Sequence, residues 1–298
     1  MSRPTSNAAS STAASSGARI AALTVIAMLA FAGNSLLCRL ALKGTRIDAA
    51  SFTLVRIGAA ALVLWIILLA RARHDSTVMR RAGSRASALA LIAYAVTFSY
   101  AYVRLPAGTG ALLLFGAVQA TMIGYGIATG ERLAATQWLG LLLALAGLVW
   151  LVLPGLAAPE PVSSALMVAA GIGWGVYSLR GRGQADPVAA TAGNFLRALP
   201  FAIAVFALAF AHARFDAKGV AYAAASGALT SGLGYVIWYA ALKGLKPATA
   251  ATVQLSVPVI TAAGGVLLLG EALTARLVAC SVAILGGIAL VVLVRRAR

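Results

Sequence analysis

Leu105–Leu133 reads LPAGTGALLLFGAVQATMIGYGIATGERL, and Leu245–Leu273 reads LKPATAATVQLSVPVITAAGGVLLLGEAL. Set side by side at an offset of 140 residues, Leu105 falls on Leu245, Ala111 on Ala251, Gly124 on Gly264 and Gly130-Glu131 on Gly270-Glu271. Gly147 then falls on Gly287 in the apolar run that follows each segment, while the proline after the leucine is out of step by one, Pro106 against Pro247. The offset is close to half of the 298 residues, so the chain reads as two related halves in tandem. Whether the halves are parallel or inverted depends on how many times each crosses a membrane.

The composition is that of a polytopic membrane protein. Hydrophobic residues make up 61% and charged residues 10%, against about 25% charged in a soluble domain. Mean hydropathy is +0.93. A net charge of +17 would suggest nucleic acid on a soluble domain, but the basic residues sit in short loops between apolar runs, which is a topology signal. No nucleic-acid partner is expected. Cys38 and Cys280 both lie in apolar runs, so buried thiols are expected, with no disulfide framework or metal site.

Residues 1–18 are mostly Ser, Ala and Thr and read as a disordered tail. Ten apolar runs follow, at 20–38, 50–70, 86–103, 107–129, 135–153, 162–180, 188–211, 219–242, 247–269 and 273–294. Most reach the ~20 residues that a bilayer core of ~30 Å asks of a helix. With both termini cytoplasmic, fifteen Lys and Arg fall inside and seven outside, the densest cluster being Arg71–Arg85. Five spans per half is an odd number, so the second half enters the membrane in the opposite sense. The expected fold is an all-α membrane protein of ten transmembrane helices, built as two inverted five-helix repeats over 19–156 and 157–298. Inverted repeats are a transporter signature, with the solute site near the midplane between them.

Gly234–Leu273, GYVIWYAALKGLKPATAATVQLSVPVITAAGGVLLLGEAL, joins an aromatic eighth helix, a tight turn, a ninth helix with a mid-span proline at Pro258 and a Gly-Glu end. The first-half counterpart ends in Gly130-Glu131 and lacks the proline. In these features the chain resembles the drug/metabolite transporter superfamily, EamA type, a family of ten-helix permeases, over residues 20–294. The resemblance implies export of amino acids and other small metabolites, one branch favouring aromatic amino acids. It implies a multi-pass protein of the cell membrane, the inner membrane in a Gram-negative bacterium. A second copy of the chain is a candidate partner.

Several residues are candidates for the solute site. Tyr94, Phe98 and Tyr102 recur every four residues in the third helix and share a face, as do Tyr235 and Tyr239, with Trp238, in the eighth. Trp174 and Tyr177 add to the sixth, and Asn34 and Ser35 lie deep in the first. Tyr100 and Tyr102, within a turn of a helix end, fit an interfacial belt instead. Gln119 and Gln254 are polar and mid-span in the Gly/Ala/Thr-rich fourth and ninth helices, where a hydrogen bond between helices is the competing explanation. Pro258 removes a backbone hydrogen bond and is a candidate hinge.

Arg56 and Arg197 are the full charges within spans. At a helix centre each would cost about 2.5–3.5 kcal/mol, so each needs a partner, water or the interface. Arg56 lies a turn or two from its helix start and is expected to snorkel outward, with Arg197 deeper.

All seven acidic residues lie in loops or at helix ends, so no carboxylate is placed for a proton relay, and facilitated transport or exchange is expected. GxxxxGK[ST], HExxH and GxSxG are missing, so no enzyme, cofactor or ATP motor is indicated. Two rivals remain. A sugar-phosphate or nucleotide-sugar antiporter would need several cavity cations, and an intramembrane lipid enzyme would need a catalytic cluster at a membrane face.

Overall fold

A chain crossing hydrocarbon must satisfy each backbone N–H and C=O internally, and the apolar runs do so as helices. The computed structural model describes residues 6–71, 82–155, 158–181, 184–245, 250 and 253–293, and among these it has no strand. The elements are α1 (Ser6–Gly44), α2 (Ala49–Arg71), α3 (Arg85–Tyr102), α4 (Ala107–Ala128), α5 (Ala135–Val152), α6 (Pro161–Gly181), α7 (Pro187–Leu208), α8 (Ala217–Leu242), α9 (Ser256–Leu269) and α10 (Ala275–Leu293). Eight are long and apolar enough to cross a membrane. The others are α3, whose 18 residues include Tyr94, Thr97, Ser99, Tyr100 and Tyr102, and α9, with 14 residues.

α1 is helical from Ser6, within the stretch whose composition reads as an irregular tail. Alanine is the strongest helix former, and the membrane helix supplies the nucleus from which the N-terminal turns extend. The loop residues Arg73, Arg80 and Arg81 and the proline at 247 lie outside the described residues.

Contacts at helix ends fix the course of the chain. Arg39 of α1 meets the backbone after α3 and Glu271 after α9. Asp48 before α2 meets Arg214 after α7, and Arg276 of α10 bonds the carbonyls of Trp150 and Leu153 at the end of α5. These ends form one face, the Glu271 face. Arg180 at the end of α6 bonds Ser87 at the start of α3, and Asn194 near the start of α7 bonds Ser84. They form the opposite, Arg180 face. α1 therefore runs toward the Glu271 face and its counterpart α6 away from it, as inverted repeats require.

Packing repeats under exchange of the halves. α1 lies on α8 and α9 as α6 lies on α3 and α4, and α2 lies on α8 as α7 lies on α3. α2 with α7, α4 with α9 and α5 with α10 map onto themselves. The helix interfaces are thus mostly between halves, and each half completes the other.

Both glycines of the Gly147–Gly287 match lie in the α5–α10 pair, where a Cβ on Gly147 would stand 2.9 Å from Ile284 Cγ1 and 3.0 Å from Ala283 Cβ. A Cβ on Gly140 would lie 2.5 Å from the Gly287 carbonyl oxygen, and one on Gly287 would lie 2.4 Å from that of Gly140. Only glycine admits backbones this close. Gln137 adds a 2.8 Å hydrogen bond from Nε2 to the Val291 carbonyl. Leu139, Leu142 and Val149 point outward, consistent with lipid-facing supports.

Candidate functional site

The third and eighth helices bring their aromatic residues together between the halves. Phe31, Asn34 and Ser35 of α1, Tyr94 of α3, Leu114 and Phe115 of α4, Trp174 of α6 and Thr230 and Tyr235 of α8 line a pocket of about 20 Å³, room for about one water. Trp174 is its hub, with ring centroids 5.1 Å from Tyr94, 4.9 Å from Tyr235 and 6.2 Å from Phe31. Trp238 packs behind Phe31 at 5.8 Å.

One wall of the pocket is polar. Asn34 Nδ2 donates to the Tyr94 hydroxyl at 2.9 Å, and its Oδ1 accepts from Ser226 Oγ at 2.7 Å and Thr230 Oγ1 at 3.3 Å. Ser226 and Thr230 belong to a π-helical segment, Ser226–Leu233, within α8. Such widened turns recur at functional sites. Gly227 lets this segment settle on α2, since a Cβ there would lie 2.2 Å from the Arg56 carbonyl oxygen.

Arg56 does not snorkel. It is 1% exposed, its Nη2 donates to the Tyr94 hydroxyl at 2.9 Å, and its guanidinium carbon lies 5.0 Å from the Tyr94 ring centre and 4.9 Å from that of Phe98. Its Nε and Nη1 have no hydrogen-bond partner among the described residues. Depth along a helix says nothing about azimuth, and Arg56 occupies the face that also carries the buried Phe52 and Ala60. Cation–π contact with two rings offsets part of its desolvation.

Arg197 lies nearer the Arg180 face, half-buried, with Nη1 donating to the Ala82 and Gly193 carbonyls. The relative depth expected of the two arginines is thus reversed. Tyr102 is not interfacial either. It is fully buried and its hydroxyl donates to the Ala107 carbonyl at 3.3 Å, whereas Tyr100 is 37% exposed as a belt residue should be. Gln119 is buried on α4 and Gln254 half-buried before α9, and neither lines the pocket. α9 begins only after a turn at Leu255, so Pro258 stands in its first turn and, lacking an N–H, cannot bond the Gln254 carbonyl.

Toward the Arg180 face lies a vestibule of about 380 Å³, lined by Ser84, Ser87, Tyr125, Tyr177, Arg180, Thr191, Asn194 and Tyr239 among others. Arg180 Nε donates to Ser87 Oγ at 3.2 Å. Tyr177 is 2% exposed and its hydroxyl, which faces Asn194 and Thr191, makes no well-aligned hydrogen bond among the described residues. Its ring lies 5.5 Å from that of Trp174, so vestibule and pocket are in contact through these two residues.

Toward the Glu271 face the bundle is tied shut. Glu271 pairs with Arg39 Nε at 3.0 Å through one oxygen and accepts from the Ala107 amide at 2.7 Å through the other. Arg39 Nη1 also donates to the carbonyls of Tyr102 and Val103, each at 2.9 Å. α1, α3, α4 and α9 meet in this one cluster.

Asn34, Ser35, Tyr94, Trp174 and Tyr235 are the sequence candidates brought to the pocket; Tyr177 and Tyr239 line the vestibule, Phe98 backs Arg56, and Trp238 backs Phe31. Phe31, Phe115 and Thr230 escaped notice as ordinary apolar or small residues. The i, i+4 spacing of Ser226 and Thr230 was the available signal. Among the described residues, no three His, Cys, Asp or Glu gather as a metal-ligand set.

Residues 18–153 and 163–293 each match the EamA-like transporter family. The chain is 56% identical over 277 residues to an uncharacterized protein of Pseudomonas aeruginosa (strain PAO1), a match covering 93% of this chain and 95% of that protein. It shares its fold with a protein solved by crystallography at 19% identity, with a TM-score of 0.65 over 93% of this chain and 99% of that one.

Proposed function

The chain belongs to the EamA-like transporter family, and from that premise we propose that it exports amino acids or closely related small amphiphiles by alternating access. The observation that carries the reading is the aromatic pocket with one polar wall, tied shut toward Glu271 and in ring contact with the vestibule lining through Trp174 and Tyr177. Aromatic rings suit the apolar body of the solute, and Asn34, Tyr94 and Arg56 suit its polar head. α1, α3, α4, α6 and α8 line the site, with α9 closing it through Glu271.

The Lys/Arg excess favours a cytoplasmic Arg180 face and cytoplasmic termini, in the inner membrane of a Gram-negative cell. The structure is then the state that faces inward. The carboxylates flanking the bundle, Asp48, Asp186, Asp216 and Glu271, serve as helix caps or in the seal. This engagement at helix ends supports export without a buried-carboxylate proton relay. A phosphate-bearing solute fits less well, because a doubly charged group would meet one guanidinium beside the pocket.

Uptake of a panel of labelled amino acids into proteoliposomes tests the reading. Saturable uptake of at least one, with competition by the unlabelled solute, is the expected result. If none moves and none competes, the solute assignment fails although the family stands.

A further inference from the structure

Arg56 is a buried cation with unused donors at a site where solute must pass. No carboxylate pairs with it among the described residues, and the groups facing it are the Tyr94 and Tyr235 hydroxyls and the Cys38 thiol. Tyr94 takes one of the two hydrogens on Nη2. Each Nη2 hydrogen belongs to a different edge of the planar guanidinium, paired with Nε–H on one edge and Nη1–H on the other. Whichever hydrogen Tyr94 takes, the other edge keeps two parallel N–H donors without a partner. That fork is the geometry a carboxylate accepts.

The fork is one side chain away from the pocket. Tyr94 contributes its ring to the lining and its hydroxyl to both Arg56 and Asn34, so a turn of Tyr94 joins guanidinium and pocket. The aromatic rings then hold whatever the carboxylate carries.

Building on the transporter reading above, we propose that Arg56 is the carboxylate anchor of the solute site and that the transported class is a small monocarboxylate with an apolar, preferably aromatic, body. An ammonium group is tolerated rather than required, because no carboxylate lines the pocket to receive one.

Four probes sharing one body test this on the full-length protein: L-phenylalanine, 3-phenylpropionate, 3-phenylpropanamide and phenethylamine. Apparent affinities come from titrated thermal shifts in detergent, and flux from proteoliposomes. The two carboxylates are expected to bind about tenfold or more tighter than the amide and the amine. Arg56→Met is expected to bring all four within about threefold, and Arg56→Lys, which keeps the charge but not the fork, to retain part of the preference. A purely structural arginine would not set carboxylate against amide. Equal binding of amide or amine, binding of none of the four, or an unchanged preference in Arg56→Met overturns the proposal. Should Arg56→Met fail to fold, the wild-type comparison and Arg56→Lys decide. Flux of 3-phenylpropionate without L-phenylalanine sinks the amino-acid reading and leaves the anchor standing. Flux of L-phenylalanine with no preference for carboxylates does the reverse.

Discussion

Arg39 and Glu271, 232 residues apart in the chain, are joined by a 3.0 Å ion pair whose acidic partner also caps α4 at the Ala107 amide. The Gly-Glu ends of α4 and α9 are one device used twice. Gly130 (φ +96°) and Gly270 (φ +64°) turn the chain in the left-handed region, where glycine is favoured. The next amide then bonds back, Glu131 to the Gly126 carbonyl at 2.9 Å and Glu271 to that of Gly265 at 3.0 Å. Each Glu carboxylate folds over that same glycine, 2.9 Å and 2.8 Å from where a Cβ would stand.

Breaking this cluster should loosen the Glu271 face. Glu271→Ala leaves Arg39 buried without its partner and is expected to cost about 3 kcal/mol. Glu271→Gln keeps an acceptor for the Ala107 amide and should cost less, by about 1 kcal/mol, the value of a helix cap. Thermal denaturation in detergent checks the ranking. The buried Cys38 thiol, next to Arg39, reports opening. In a Cys280→Ser background, a membrane-impermeant thiol reagent should label Cys38 faster in Glu271→Ala than in the parent.

Gly227→Ala should be costly out of proportion to its size. The added methyl meets the Arg56 backbone carbonyl at 2.2 Å, which no rotamer relieves, so α2 and the π segment must part. Overpacking of this kind costs about 1–3 kcal/mol. The same substitution at Gly286, whose Cβ would meet nothing within 4 Å, is the control and should leave stability close to the parent's.

Tyr177→Phe separates stability from solute handling. The hydroxyl faces Asn194 and Thr191 but makes no well-aligned hydrogen bond among the described residues, so stability should fall by no more than about 1 kcal/mol. Entry from the vestibule should slow if solute uses that hydroxyl, which initial rates in proteoliposomes measure. A clear fall in melting temperature would contradict the expectation.

Asp48 gives a pH signature outside the membrane. Burial pushes its carboxyl up, but hydrogen bonds from the Ser51 hydroxyl and the amides of Arg214, Ser51 and Ala50 outweigh this and hold it below the usual carboxylate range. The folded value is the lower one, so the stabilisation is complete above the unfolded value of about 4 and is lost as pH falls through the folded value. Asp48→Ala should remove about 1 kcal/mol, the value of an N-cap, at pH 7. The gap between variant and parent should close below pH 4 in melts run across pH.

The inverted pair was legible because hydropathy and span count each read off one dimension of the chain. Tyr94, Trp174 and Tyr235 were legible too, since aromatic side chains deep in a span are few. What depends on rotation about a helix axis was not. Arg56 and Tyr102 both lie near helix ends by count, yet both face inward. The π segment adds a further twist that no hydropathy pattern encodes, and it decides that Ser226 and Thr230 meet Asn34. Pro258 was visible, and its place in the first turn of α9, after the turn at Leu255, suits its missing N–H.

The unpaired guanidinium of Arg56 also bears on what drives the cycle. A monocarboxylate without an ammonium group, held there and released outside, would take one negative charge out of a cell whose interior is electrically negative, whereas a zwitterionic amino acid would take none. Each elementary charge moved through 100 mV yields about 2.3 kcal/mol, roughly a fifty-fold concentration ratio. For such an anion voltage would do the work for which coupled pumps use a proton path, with no acid required at the centre of the bundle.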